Sequence, residues 1–185
     1  FNRLATNILN STRLMTEMMD KVYELSQSTY IHFELEMINP ERKIMDILEN
    51  TKKQYESENL KFILGETIAI PGERTLLYQM FLNLIGNAVK YSSQEEYPLV
   101  EVKSYRKGLS VIYEIRDNGI GIDLSHGANI FEIFRRMPNT VGFEGAGIGL
   151  SIVKRIADRL GAKIFVESKM NIGTCFFIEF TNVPL

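Results

Sequence analysis

The sequence predicts an α+β protein: a two-layer α/β sandwich whose mixed, mainly antiparallel sheet carries its helices on one face, preceded by a long N-terminal bundle helix. Three observations predict it. Period-two alternation recurs in turn-linked pairs, at residues 99–105 with 109–116 and at residues 163–167 with 174–180. Helical periodicity fills other stretches, most strongly over residues 73–91. The first residues follow a third pattern, the seam of a heptad.

That seam is Phe1, Leu4, Ile8, Ser11, Met15, Met18, Val22 and Leu25, spaced by alternating threes and fours and broken in its apolar character only at Ser11. A lone helix of this length is marginal in water, so the seam needs partner helices from the parent chain or from a second copy. Folding back onto its own domain is the other way to bury it. The periodicity is lost over residues 26–29, which places a boundary near Ser28 between a helix over 1–28 and a domain over 29–185.

Within that domain, residues 32–38 alternate Phe33, Leu35 and Met37 with polar neighbours, as a half-buried strand does. Asn39 and Pro40 form a helix start, a capping carboxamide followed by a residue whose missing N–H costs nothing in the first turn. Ile44, Ile47, Leu48 and Tyr55 continue that helix. Residues 61–70 read as a strand ended by Pro71 and Gly72, and the long helix over 73–91 follows. Lys107 and Gly108 turn the next two strands, the second pointing Leu109, Val111, Tyr113 and Ile115 inward. Residues 117–147 are dotted with glycine and read as a mobile loop, interrupted by an apolar stretch over 130–134. A last helix begins near Gly149 and ends at Gly161, a left-handed cap, before a hairpin turning around Asn171 and Gly173. Antiparallel strands with helices gathered on one side give the two-layer sandwich.

Composition bounds the chemistry. Apolar residues are 45% and charged ones 24% of 185 residues, enough for one core plus an appended element. With 21 basic and 23 acidic residues well mixed, no field is strong enough to hold nucleic acid, and any anionic ligand must be gripped by local geometry. Cys175 is the only cysteine, so no intrachain disulfide forms, as in a reducing, cytoplasmic compartment; its apolar strand-like surroundings place it in the core. No run reaches the roughly 18 apolar residues that cross a bilayer. The chain starts at Phe1 without a methionine, which suggests a fragment of something longer, and a membrane anchor upstream is neither shown nor excluded.

The helix over 73–91 separates into two faces. Leu77, Phe81, Leu84, Ile85 and Ala88 share one; Asn83, Asn87 and Lys90 share the other, two carboxamides and an ammonium projecting together. Such a face can be merely solvated, although asparagine is a mediocre helix former. Asp117-Asn118-Gly119 is a common turn, yet the chain does not resume a matching strand after it. Gly145, Gly147 and Gly149 open a helix, where backbone N–H groups and the helix terminus suit a phosphate. No Gly-Lys-Ser/Thr follows and no strand leads directly in, so neither the P-loop nor the dinucleotide fingerprint fits.

In order, these strings resemble the family of histidine kinases, DNA gyrase, heat-shock chaperone ATPases and MutL repair ATPases, and most closely its histidine kinases. Asn83-Leu-Ile-Gly-Asn87-Ala-Val-Lys90-Tyr91 looks like the asparagine box, and Asp117-Asn-Gly119-Ile-Gly121-Ile122 like the first glycine box. Phe131-Glu-Ile-Phe134-Arg-Arg136 is similar to the phenylalanine box, Gly145-Ala-Gly147-Ile-Gly149-Leu150 to the second glycine box, and Gly173-Thr174 to the closing motif of the penultimate strand. Residues 1–28 resemble the second dimerisation helix that precedes such domains, so the likeness covers essentially the whole chain.

The resemblance implies an ATP-binding catalytic domain that passes the γ-phosphate to a histidine on an absent first bundle helix, for relay to a response regulator, in a homodimeric parent. It implies that Asp117 accepts from the adenine amino group, that Tyr91 packs on the base and that Thr174 holds a water near Asp117. Asn87 would ligate Mg²⁺ through its carboxamide oxygen, and Lys90 would add charge near the phosphates. Gly145, Gly147 and Gly149 would let a lid close, anchored by Phe131 and Phe134, and Asn83, Gly119, Gly121, Ile122 and Leu150 would also belong to the nucleotide site. Arg136 would stabilise charge in the transfer, making Asn83, Lys90 and Arg136 the catalytic set. Asn83 stands where the hydrolases of the family carry a water-activating carboxylate, so hydrolysis should be poor. Ala146 replaces a common threonine, and neither His32 nor His126 matches the phosphate-accepting histidine. The competing expectation is a degenerate module that dimerises without kinase activity.

Overall fold

The computed structural model describes residues 34–55, 59–124, 129–135, 137–140, 143 and 145–184. The heptad helix, the boundary near Ser28, both histidines and Arg136 lie outside the described residues.

Two strands form a small antiparallel ribbon, β1 (Glu36–Ile38) with β3 (Ile70–Gly72), pairing Glu36 with Gly72 and Ile38 with Ile70. The alternation expected over residues 32–38 does not bury Leu35 and Met37, which are 53% and 48% exposed. In a ribbon only three residues long, alternation alone does not decide which side is inside. Helix α1 (Glu41–Gln54) follows with Pro40, not Asn39, at its N-cap; the Asn39 side chain, one residue earlier, accepts from the Glu41 N–H at 3.0 Å. Its buried stripe is Ile44, Ile47, Leu48 and Thr51.

The single strand expected over residues 61–70 is two. β2 (Lys61–Leu64) runs parallel to the strand beside it, and the chain then leaves the sheet before β3. At Gly65 a Cβ would sit 2.8 Å from that of Lys103, so the backbones press together there. Side chains of the sheet then take over the backbone's hydrogen bonds: the Ser104 hydroxyl donates to the Glu66 carbonyl and accepts from the Ile68 N–H, and Tyr113 donates to the Ile68 carbonyl at 2.6 Å. Pro71 and Gly72 belong to β3 rather than ending a strand.

Helix α2 (Arg74–Ser92) is the centre of the helical layer. Glu73 caps it, its carboxylate accepting from the Thr75 and Leu76 N–H groups at 2.9 Å each. Leu77, Met80, Phe81, Leu84, Ile85 and Ala88 are buried against the sheet and the flanking helices. The sheet has the order β2-β4-β5-β7-β6; β2 is parallel to β4 (Leu99–Lys107), and the pairs β4 with β5 (Ser110–Asp117), β5 with β7 (Gly173–Phe180) and β7 with β6 (Lys163–Lys169) are antiparallel. Val102, Ile115 and Phe176 stand in register beneath α2, as do Tyr113 and Ile178. Tyr113 meets Phe81 edge-on at 5.2 Å between ring centres. Leu109, expected inward, precedes β5 at the turn and is 64% exposed.

Helix α3 (Gly149–Arg159) packs beside α2 and over β6. It ends in a Schellman cap: Gly161 has φ +66°, the Ala162 N–H reaches the Ala157 carbonyl at 2.8 Å and the Gly161 N–H reaches Asp158. Among the described residues the sheet's other face carries no helix, and it holds a charge ladder, with Glu114 bonded to Arg116 at 2.8 Å and near Lys103 at 3.6 Å. Cys175 lies on that face, opposite Arg116 and Glu167, so it is buried but not part of the core between the layers.

Candidate functional site

The polar face of α2, the end of β5 and the start of α3 converge. Asn83, Asn87 and Lys90 lie within seven steps of helix, roughly 10 Å at ~1.5 Å per residue. Lys90 is 8% exposed, more buried than a solvated face allows. Its ammonium lies 3.3 Å from the Tyr91 hydroxyl and 4.5 Å from the centre of that ring. The second glycine run lies along this face from end to end: a Cβ on Gly145 would stand 3.0 Å from the Lys90 Nζ, and one on Gly149 would stand 2.7 Å from the Asn83 Oδ1. Asn83 donates its amide to the Gln79 carbonyl at 2.8 Å, which turns the oxygen toward Gly149. The Asn87 carboxamide, between them, makes no hydrogen bond to the described residues. Helix α3 starts at Gly149 without any capping side chain, so its first N–H groups are not spent on one.

Asp117 ends β5 and is buried. Its Oδ1 accepts from the Gly119 N–H at 2.9 Å and the Thr174 N–H at 3.2 Å, while no described residue bonds to Oδ2. Burial pushes the carboxyl up to about 6 from the ordinary 3.8, and the two N–H bonds limit the rise. Backbones close tightly around it. A Cβ on Gly173 would fall 2.0 Å from the Asp117 carbonyl, and one on Gly119 would fall 2.2 Å from the Tyr91 carbonyl. Only glycine permits these contacts, which join the end of β5 to β7 and to the last turn of α2. Asn118 braces the corner, accepting from the Leu99 N–H and donating to the Tyr97 carbonyl.

The remaining sequence candidates fall around this centre. The Gly121 carbonyl accepts from Asn139, and the Ile122 N–H donates to the Ser168 hydroxyl. Tyr91 is half-buried and meets Phe143 edge-on at 5.1 Å. Gly147 lies against the Arg135 carbonyl, and Leu150 packs on the core. Phe131 also packs on the core, but Phe134, expected to anchor beside it, has φ +64° and is 56% exposed. The neighbouring Ile130 is the buried member instead. Asn139, Phe143 and Ser168 escaped the sequence reading. Their neighbourhood in glycine-dotted or alternating stretches signals a turn or a strand but not which distant backbone each will meet.

A cavity of about 340 Å³ adjoins this corner, lined by Asp117, Ser168, Gly173 and Thr174 as well as by Glu101, Arg116, Glu167 and Cys175 of the sheet's other face. It shares the end of β5 with the site above but not the α2 polar face or the second glycine run. The chemistry therefore gathers on the helical side: buried acceptors at one end, and a cation, carboxamides and helix N–H groups along the rest.

Similarity to known proteins agrees with this arrangement. Residues 72–184 match the family described as histidine kinase-, DNA gyrase B-, and HSP90-like ATPase. Cyanobacterial phytochrome A of Nostoc sp. is 29% identical over 95% of this chain and 23% of its own length. The methanogenesis regulatory histidine kinase FilI of Methanothrix harundinacea is 31% identical over 71% of this chain and 15% of its own. The chain thus spans about a quarter or less of these relatives. Among solved structures, the mycobacterial sensor histidine kinase MprB superposes with a TM-score of 0.70 at 25% identity, over 81% of this chain and all of that one. With the matched residues running from β3 past the end of β7 and taking in every part of the site, the chain belongs to the histidine kinase-, DNA gyrase B- and HSP90-like ATPase family.

Proposed function

We propose that this chain is the ATP-binding catalytic part of a sensor histidine kinase, transferring the γ-phosphate of ATP to a histidine on a bundle helix of the parent protein, for relay to a response regulator. The observation that carries the reading is Asp117, a buried carboxylate with one oxygen bonded to backbone N–H groups and the other unpaired among the described residues. An acceptor so placed selects a purine with an amino group at position 6 over one with a carbonyl there.

Each residue's part follows from its chemistry. Tyr91 gives the base an apolar wall, and Asn83, Lys90 and the first N–H groups of α3 line the path of the phosphates. The donors fit Mg²⁺: the Asn87 carboxamide offers a hard oxygen, and no cluster of three acidic, histidine or cysteine ligands competes among the described residues. When bound, the ion would neutralise charge on the phosphates, which supply its other ligands together with water. Lys90 holds positive charge along that path, and Arg136 would add a second charge during transfer. With Asn83 in place of a carboxylate near the metal residue, nothing on this face activates water, which favours transfer over hydrolysis. Residues 1–28 would supply the second helix of a dimerising bundle, and the histidine, the regulator, a homodimeric parent and a cytoplasmic location belong to the same proposal. Among the described residues no helix is long and apolar enough to cross a membrane.

The test is titration of the chain with a fluorescent ATP analogue, with Mg²⁺ and with a chelator. Binding that Mg²⁺ strengthens, and that ATP displaces far better than GTP, supports the reading. Lack of binding at millimolar nucleotide would overturn it in favour of a dimerising module without nucleotide chemistry.

A further inference from the structure

The Ser168 hydroxyl on β6 touches three polar groups. It accepts from the Ile122 N–H at 2.8 Å, donates to the Gly173 carbonyl at 2.9 Å and lies 2.9 Å from the Thr174 hydroxyl oxygen. A hydroxyl has one proton and two lone pairs. The Ile122 amide can only donate, so it takes one lone pair; the Gly173 carbonyl can only accept, so it takes the proton. What remains for Thr174 is the second lone pair. Thr174 therefore donates to Ser168, and its own oxygen is left with lone pairs alone.

That polarity matters because of where Thr174 sits. It is buried, its backbone N–H binds Asp117, and register along β7 puts its side chain on the helical face of the sheet with that of Asp117. Asp117 Oδ1 is taken up by two N–H groups. At this end of the pocket, Asp117 Oδ2 and Thr174 Oγ1 are then both acceptors. Without Ser168 the Thr174 proton could rotate toward the ligand and greet a carbonyl as readily as an amine.

We propose that Ser168 is a specificity-positioning residue: by holding the proton of Thr174, it makes the base site accept donors only and so reject purines with an oxygen at position 6. The inference rests on the assignment of Asp117 to base recognition. Ser168 does not touch the base; it acts through Thr174.

The experiment measures the affinity ratio of ATP to ITP, its 6-oxo counterpart, by competition against a fluorescent nucleotide on the full chain. Ser168→Ala should lower the ratio about tenfold, the size of one hydrogen bond's discrimination, chiefly by improving ITP. Ser168→Thr should restore it. Thr174→Val should lower the ratio too, and adding Ser168→Ala should lower it no further. Should Ser168→Ala not fold, Ser168→Cys fills similar space with a much weaker acceptor and should give the same loss. An unchanged ratio in the folded Ala or Cys variant, with both nucleotides weakened alike, means Ser168 only packs and overturns the inference. If Asp117→Asn collapses the ratio while Ser168→Ala does not, only this inference falls; if Asp117→Asn leaves the ratio intact, the base site itself is wrong and both fall.

Discussion

The Thr174 N–H donates to Asp117 Oδ1 across 3.2 Å, so β7 reaches over to the end of β5 and holds a buried carboxylate by backbone alone. Among the described residues no cation pairs with that carboxylate, and burial keeps its pKa near 6. Its burial works against stability, a cost that the proposed recognition of the base would account for.

Asp117→Asn should therefore abolish discrimination between ATP and ITP while stabilising the nucleotide-free protein. The folded pKa lies above the unfolded one, so the favourable contribution of Asp117 is fully present below about pH 3.8 and is lost as pH rises through about 6. A carboxyl raised from 3.8 to about 6 costs the folded state about 2–3 kcal/mol at pH 7.5, of which the amide should recover about half, a few degrees in Tm. Melting curves of both proteins at pH 7.5 and pH 5 measure it: the advantage of the Asn variant should shrink at the lower pH. An advantage independent of pH would show that the carboxylate is not the source.

Asn87→Ala should weaken ATP in the presence of Mg²⁺ by about tenfold or more and leave metal-free binding little changed. Since its carboxamide bonds to no described residue, thermal stability should hold. Phosphorylation in trans of a fragment carrying the first bundle helix should fall with it; equal transfer by the variant would remove the metal role.

Gly149→Ala brings a methyl within 2.7 Å of the Asn83 oxygen. It should cost about 1 kcal/mol and weaken ATP together with stability, because the Asn83 carboxamide must turn away and gives up its bond to the Gln79 carbonyl. Asn83→Ala in the same chain should recover most of the loss in Tm. A double variant no more stable than Gly149→Ala would locate the strain elsewhere.

Glu73→Ala should lower stability by about 1 kcal/mol, since two N–H groups at the start of α2 lose their acceptor. The cap lies at the opposite end of the helix from Lys90, so the ATP dissociation constant should not follow the change in Tm.

Much of this was legible in the sequence, for reasons that can be named. The two faces of α2 are a local periodicity, and burial of Phe81 and Ile85 follows from it. Gly161 ends α3 through hydrogen bonds spanning only residues 157–162. Where sequence reading failed, the deciding contact was distant. Residues 61–70 divide because Ser104 and Tyr113, far along the chain, claim the carbonyls of Glu66 and Ile68. Lys90 stands out by its spacing from Asn83 and Asn87, but its burial shows only when Gly145 is brought against it. Ser168 looks like any polar residue in an alternating strand, and its meaning appears only when Ile122 and Thr174 arrive from either side.

Cys175 offers a practical opening. It is 2% exposed, and burial, then the neighbouring Glu114 charge, pushes its thiol up to about 12, so almost no thiolate exists near neutral pH. Maleimide and iodoacetamide reagents should pass it by. A cysteine introduced at exposed Leu109 or Tyr97 would then be the sole labelling point, and spectroscopic reporters could be attached to the otherwise native chain without first removing its own sulfur.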